Sequence, residues 1–301
     1  MKYDTIIIGG GIAGLQTAIQ LSRCLRKVIV VDLPGGRSSV AKGYRNILGH
    51  PDRISGDTLR QVGMKQAKQY GAVFKEAEVI KVVPCEDKGF QVWMKEEEAP
   101  LHAHTLVMAT GIRDPFPDFP GVRECLGTSV FLCPDCDGYE SVNTYTAIIG
   151  EGQHALKMTR DLSYFTPHML VINHTGSNLT PAQLAEYVTP NIAYLDDSVE
   201  QMIHQNGELQ EILLASHRRM QVNRAFLAFP GAQVQSQLLH GTRVRFTEKG
   251  HVLVNPRTKE TDHPHIWAVG DLVNHSQQVS IAMGDGAQAA IWIHKRLKEM
   301  N

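Results

Sequence analysis

Cys133–Pro134–Asp135–Cys136–Asp137–Gly138–Tyr139 is the stretch of this chain whose residue types and spacing best suit chemistry. A Cys-x-x-Cys pair forms a disulfide at little loop cost, and at a helix N-terminus one of its thiolates is stabilised. In a chain otherwise poor in close cysteines, such a pair points to redox exchange more than to a structural bridge. Asp137, read by itself, could simply cap the turn before Gly138. Zinc would need four ligands; Cys125 lies upstream, but no second Cys-x-x-Cys or matching His pair completes the set. His102–Ala103–His104 and His263–Pro264–His265 have no acid or cysteine at ligand spacing, so no metal is expected. Cys24, Cys85 and Cys125 read as small buried hydrophobes.

The elements that must hold such a pair begin at the N-terminus. Tyr3–Ile8 is an apolar run of strand length, followed by Gly9–Gly10–Gly11–Ile12–Ala13–Gly14, a stretch of helical period to Arg23, and a second strand, Lys27–Val31, ending at Asp32. This is the dinucleotide fingerprint in its required strand–turn–helix–strand context. Gly9 makes the tight turn, Gly11 admits a pyrophosphate, Gly14 lets the helix pack on the strands, and Asp32 can accept a ribose hydroxyl. Phosphate charge would meet the free N–H groups of the helix start at Ile12 and Ala13.

Two later strands end at small-residue corners: Leu106–Val107–Met108–Ala109–Thr110–Gly111, and His265–Ile266–Trp267–Ala268–Val269–Gly270–Asp271. With the first motif they resemble the two-dinucleotide-binding-domain flavoproteins, in which three such stretches build one FAD site. The resemblance implies that Asp271 contacts the ribityl chain. It also puts Gln278–Val279, at the start of the alanine- and glycine-rich segment Gln277 to Ile291, near the pyrimidine end of the flavin. The Cys-x-x-Cys-Asp-Gly stretch, set between Ala109–Thr110–Gly111 and a second glycine motif, is similar to the thioredoxin reductase family over nearly the whole chain. That likeness implies that Cys136 faces the flavin, that Cys133 meets the substrate, and that Asp137 serves as proton donor and acceptor. A carboxyl placed beside a thiolate and a low-dielectric flavin is expected to have a raised pKa.

The second motif, Ala147–Ile148–Ile149–Gly150–Glu151–Gly152–Gln153–His154–Ala155, departs from the family pattern. Glu151 puts a carboxylate where a pyrophosphate should approach. The next strand, Met169–Asn173, leads into His174–Thr175–Gly176–Ser177–Asn178, with no Arg or Lys for a 2′-phosphate and no acid for a ribose hydroxyl. Arg218–Arg219 come later and read as a solvated turn. Use of NAD(P)H is therefore doubtful. The resemblance leaves three routes for electrons: ferredoxin or another donor to flavin, a dithiol oxidase passing electrons to oxygen, or an ordinary NADPH-dependent reductase. Ala109 to Asp114 and Gly138–Tyr139–Glu140 are similar to the oxidases, but those usually carry histidine where this chain has Asp137. A redox-sensing flavoprotein without catalysis is a further class, against which the intact Cys133/Cys136/Asp137 set argues.

The expected fold is α/β, with two nested Rossmann-like dinucleotide-binding domains. The FAD domain takes residues 1–115 and 244–301, and the inserted domain, residues 116–243, carries the cysteine pair; Gly121 and Gly127 flank a candidate hinge. A length of 301 residues suits two domains, and a net charge of −1 gives no basic face for nucleic acid or anionic lipid. No apolar run spans a bilayer, Met1–Asp4 does not open a signal peptide, and five cysteines do not make a secreted disulfide framework. A cytoplasmic protein is expected. The resemblance adds a homodimer, and as partner a thioredoxin-like protein or a small disulfide or dithiol.

Overall fold

The structure, a computed structural model, describes residues 2–85 and 89–300. The chain divides into two units. The first comprises residues 1–40, 47–113 and 232–301, and the second residues 41–46 and 114–231.

In the first unit the strand Lys2–Ile8 lies between Val28–Asp32 and Leu101–Met108, parallel to both. Val73–Glu76 extends the sheet on one side. On the other, Leu101–Met108 pairs with antiparallel Phe90–Met94 through its first half and with parallel Ile266–Ala268 through its second. Thr5 to Ile8 are buried without interruption, as a strand covered on both faces requires. Alternation sorts them: Ile6 and Ile8 join one core cluster with Ile29, Val31 and Met108, while Ile7 joins another with Val30, Val107 and Trp267.

The helices Ile12–Arg23 and Val279–Glu299 cover the Ile7 face. Small residues set their separation: a Cβ on Gly286 would stand 2.4 Å from the Ala13 carbonyl oxygen. Trp267 is fully buried in this layer, and Trp93 lies on the strand Phe90–Met94. Glu96 to Glu98 form the exposed tip between Phe90–Met94 and Leu101–Met108.

The second unit is a five-stranded parallel sheet in the order Ile192–Leu195, Met169–Asn173, Thr146–Gly150, Arg224–Ala228, Val130–Phe131. Its first crossover is the helix Gly152–Leu162, and its second contains Pro181–Tyr187, started by a reciprocal capping box between Thr180 and Gln183. An antiparallel meander, Val199–Gln205, Glu208–Leu214 and Arg219–Gln221, precedes the return strand Arg224–Ala228. Arg219 therefore belongs to a strand and pairs with Glu211 at 3.1 Å, while Arg218 in the turn pairs with Asp197 at 3.2 Å. Both units are doubly wound, as expected.

The borders differ from those read off the sequence. The return to the first unit comes at 232 rather than 244, because Gln233–Val234 pairs with Ile112–Arg113 as a short antiparallel ladder. A two-residue strand has no periodicity to betray it. Residues 41–46, expected in the FAD domain, belong to the second unit. Gly121 and Gly127 lie inside that unit and not at a crossing. A Cβ on Gly121 would stand 2.0 Å from the Met202 carbonyl oxygen, so its positive φ of 88° serves close packing.

Gly286→Ala should lower stability by roughly 1–3 kcal/mol, the usual cost of overpacking a tight contact. Thermal or urea denaturation reads this, and an unchanged midpoint would show that the two helices can separate freely.

Candidate active site

Cys133 leaves the short strand Val130–Phe131 through Leu132 and stands immediately before the helical turn Pro134–Asp137. Its carbonyl oxygen accepts from the Cys136 and Asp137 amides at 3.3 and 3.0 Å. This winding brings the two thiols within hydrogen-bonding reach of one another. Their hydrogen bond holds the Cys133 thiol below its ordinary pKa against the opposing effect of burial. Cys136 moves the other way: it is pushed up by its hydrogen bond to Cys133, by burial, and by the charges of Cys133, Asp137 and Asp135. The pair is thus polarised, with Cys133 the more acidic of the two thiols.

Asp137 is raised to about 6, chiefly by burial and then by the neighbouring Glu140 charge, with Arg45 partly opposing. Arg45 and Glu140 are themselves paired at 3.3 Å. Neither was legible as a partner, since 95 residues of chain separate them. Gly138 is required by contact, because a Cβ there would lie 2.4 Å from the Phe165 ring. Tyr139 next to it is exposed.

In the first unit the ends of three parallel strands meet. The Ala109 amide donates to the Ile8 carbonyl at 2.8 Å, and the Val269 amide to Met108 at 3.0 Å. Gly9 turns with φ +108°, and a Cβ on it would strike the Ala109 carbonyl oxygen at 2.3 Å. A Cβ on Gly14 would lie 2.0 Å from the Gly9 oxygen, and one on Gly270 2.9 Å from the Ala13 Cβ. The motifs around Gly9, Ala109 and Gly270 therefore form one corner at the carboxyl end of a doubly wound sheet, where such folds bind ligands. Around Gly11 the packing is reversed: a Cβ there would meet nothing within 4 Å. That open cradle at the first turn of Ile12–Arg23, between tightly packed glycines, fits a dinucleotide pyrophosphate.

The remaining expected residues are placed as follows. Asp32 ends its strand and accepts from the Gly10 amide at 2.7 Å and from Arg60 Nη2 at 2.8 Å. Thr110 donates to the Gln235 carbonyl at 2.6 Å, and the Gly111 carbonyl accepts from the Gln235 amide at 3.0 Å. Asp271 accepts from Arg37 Nη1 at 2.7 Å, and the same nitrogen donates to Gln277. Gln278 caps the helix that Val279 begins. Arg37 and Arg60 went unread because their partners lie 234 and 28 residues away. No group of metal ligands occurs among the described residues.

The glycine corner of the second unit is built differently. The Gly152 amide donates to Asn173 Oδ1 at 3.0 Å, and Asn173 is anchored in turn on the Ser177 carbonyl and Asp196 at 2.8 and 2.9 Å. A Cβ on Gly152 would come within 3.0 Å of the Ser177 Cβ and 3.5 Å of Leu179. Residues 173–179 thus crowd the start of the helix Gly152–Leu162, with Glu151 just ahead of it.

Two outcomes follow from the cysteine geometry. At neutral pH a limiting alkylating agent should modify Cys133 before Cys136, read by peptide mass spectrometry; the reverse order would refute the polarity. Asp137 has a folded pKa above its unfolded value, so its contribution to stability is full below about 3.8 and is lost as pH rises through about 6. Asp137→Asn should therefore unfold at a higher temperature than wild type above that pH, and the gain should vanish in acid.

Comparison with known proteins agrees with this architecture. Residues 3–286 match the family model described as pyridine nucleotide-disulphide oxidoreductase. Thioredoxin reductase of Aquifex aeolicus is 27% identical over 305 residues, covering 98% of this chain and 93% of the relative. NADPH-dependent thioredoxin reductase 3 of Arabidopsis thaliana is 26% identical over 318 residues, and this chain spans 59% of its length. The crystal structure of thioredoxin reductase from Streptococcus pyogenes superposes with a TM-score of 0.86 at 22% identity, covering 99% of each chain, a likeness of fold. With its paired doubly wound units and its polarised cysteine pair, the chain belongs to the pyridine nucleotide-disulphide oxidoreductase family, as a thioredoxin reductase-like, FAD-dependent disulfide oxidoreductase.

Proposed function

We propose that this enzyme passes electrons between FAD and the Cys133–Cys136 pair, and from the pair to the disulfide of a thioredoxin-like protein or a small disulfide. The observation that carries the reading is the hydrogen bond between Cys133 and Cys136 beside a carboxyl titrating at about 6. The Cys133 thiolate attacks one sulfur of the partner disulfide, and the partner sulfur released takes up a proton. Cys136 then attacks Cys133, giving its proton to Asp137, and the second partner sulfur leaves as a thiolate that is protonated in turn. The partner gains two electrons and two protons, and the pair ends as a disulfide. FAD, when bound, supplies the two electrons that restore the dithiol. Gly9, Gly11, Ile12, Ala13, Gly14 and Asp32 would hold its adenosine diphosphate half. Ala109, Thr110, Gly111, Gly270, Asp271, Gln278 and Val279 would hold the flavin half.

The donor we infer is ferredoxin or another donor in place of NADPH. Glu151, the Asn173 side chain bonded to the Gly152 amide, and Ser177 against Gly152 support this, because a pyrophosphate needs that amide and that space. Nothing in residues 174–180 carries a positive charge for a 2′-phosphate at neutral His174. No described helix is long and apolar enough to cross a membrane. A cytoplasmic homodimer completes the proposal.

Anaerobic mixing with NADPH, NADH and reduced ferredoxin, followed at the flavin absorbance, tests the donor. Bleaching by ferredoxin alone is expected, and fast bleaching by NADPH would overturn that part. Cys133→Ser and Cys136→Ser should each abolish disulfide reduction; full activity in either would remove the pair from the mechanism.

A further inference from the structure

Outside these residues, Asp285 on the helix Val279–Glu299 is a buried carboxylate with three donors converging on it. Lys259 Nζ approaches Oδ1 at 2.7 Å, while the Gly270 amide at 3.0 Å and His275 Nε2 at 2.6 Å both approach Oδ2. Its side chain is 5% exposed and that of Lys259 11%, so the cluster is shielded from water and salt. Lys259 also holds a positive φ of 61°, a conformation that the surrounding structure has to maintain.

The donors come from separate places. Lys259 lies before the strand Ile266–Ala268, Gly270 after it, and His275 in the segment leading to the helix. Gly270 opens the turn that carries Asp271, and Gln277, which shares Arg37 with Asp271, follows His275. One carboxylate therefore holds the segment 270–278 at Gly270 and at His275.

The ring of His275 has a definite state. Nδ1 faces the Ser276 carbonyl at 2.8 Å, which can only accept. Nε2 faces a carboxylate already committed as acceptor to an ammonium and an amide. Both nitrogens must then carry hydrogen, which makes the ring an imidazolium. The charged groups facing it are Asp285 from the helix and Lys259 from the preceding turn, and Asp285 dominates in holding it protonated.

We propose that Asp285 is a positioning residue for the flavin site, setting the segment Gly270–Gln278 through Lys259, an imidazolium at His275 and the Gly270 amide. This rests on the reading of that segment as part of the FAD site. The cluster carries two positive charges against one negative, a surplus held beside the segment. When His275 loses its proton, one charge-assisted bond to Asp285 is lost and the segment loosens.

FAD retention by the holoprotein, measured as flavin fluorescence on dilution across pH, tests this, with thermal melting to confirm folding. Wild type should hold FAD most tightly at mildly acid pH and release it more readily as pH rises through the elevated pKa of His275. His275→Gln, which keeps one donor toward Asp285 and no charge, should bind roughly tenfold more weakly in acid and show a flat profile, the loss of one charge-assisted bond. Asp285→Asn should bind more weakly still; if it does not fold, His275→Gln decides. A variant that binds as wild type does, or more weakly with the wild-type pH slope intact, overturns the inference while leaving the FAD site standing. A wild type that takes up no FAD would instead sink the flavin-site reading, and this inference with it.

Discussion

The first unit depends on how closely three backbones approach one another at the ends of Lys2–Ile8, Leu101–Met108 and Ile266–Ala268. Gly9 presses on Ala109, Gly14 on the Gly9 carbonyl, and Gly270 on Ala13, each at a distance that admits no side chain. Parallel strands buried on both faces leave little room at their ends, and glycine is the residue that lets loop and helix share it. Everything placed at that corner inherits its geometry from these contacts: the Asp32 carboxylate under Gly10, the Arg37–Asp271 pair, and the Asp285 cluster behind Gly270. Gly11, at the first turn of the helix, stands clear instead, with nothing within 4 Å of where a Cβ would sit.

The second unit repeats the winding with a differently built corner. Its corner has Gly150 against the Ala228 carbonyl, as the first has Gly9 against Ala109. Yet its helix start is satisfied from within the protein, by Asn173. A side-chain amide oxygen can stand in for a phosphate oxygen toward one N–H group, so the fold loses no hydrogen bond if the nucleotide is given up. The same unit instead carries the thiols, at the end of its edge strand Val130–Phe131.

Much of this was legible because glycine and cysteine announce backbone and redox demands directly. The strand–glycine–helix run at Gly9–Gly14 and the small-residue corners at Ala109–Gly111 and Gly270–Asp271 are local patterns, and the structure brings them together. Asp137 could be expected to titrate high, and burial and Glu140 do raise it. What stayed hidden was pairing over long stretches of chain. Arg60 reaches Asp32, Arg37 reaches Asp271, and Arg45 reaches Glu140, none with a spacing that a helix or strand would impose. Asn173 read only as the last residue of a strand, because its amide acts across a crossover. The return at residue 232 was missed because two residues, Gln233 and Val234, are too few to show a period.

The ladder between Ile112–Arg113 and Gln233–Val234 bears on how the chain is made. Residues 114–231 form one uninterrupted stretch whose two exits lie side by side, and residues 41–46, the rest of the second unit, are made before it, so that body can complete itself as soon as residue 231 leaves the ribosome. The first unit has no such freedom. Leu106 to Met108 wait with an unpaired edge until Ile266–Ala268 is synthesised, and the helix Val279–Glu299 arrives later still. The half that emerges first is thus the half that finishes last, and its open strand edge is what a nascent chain must keep covered in the interval.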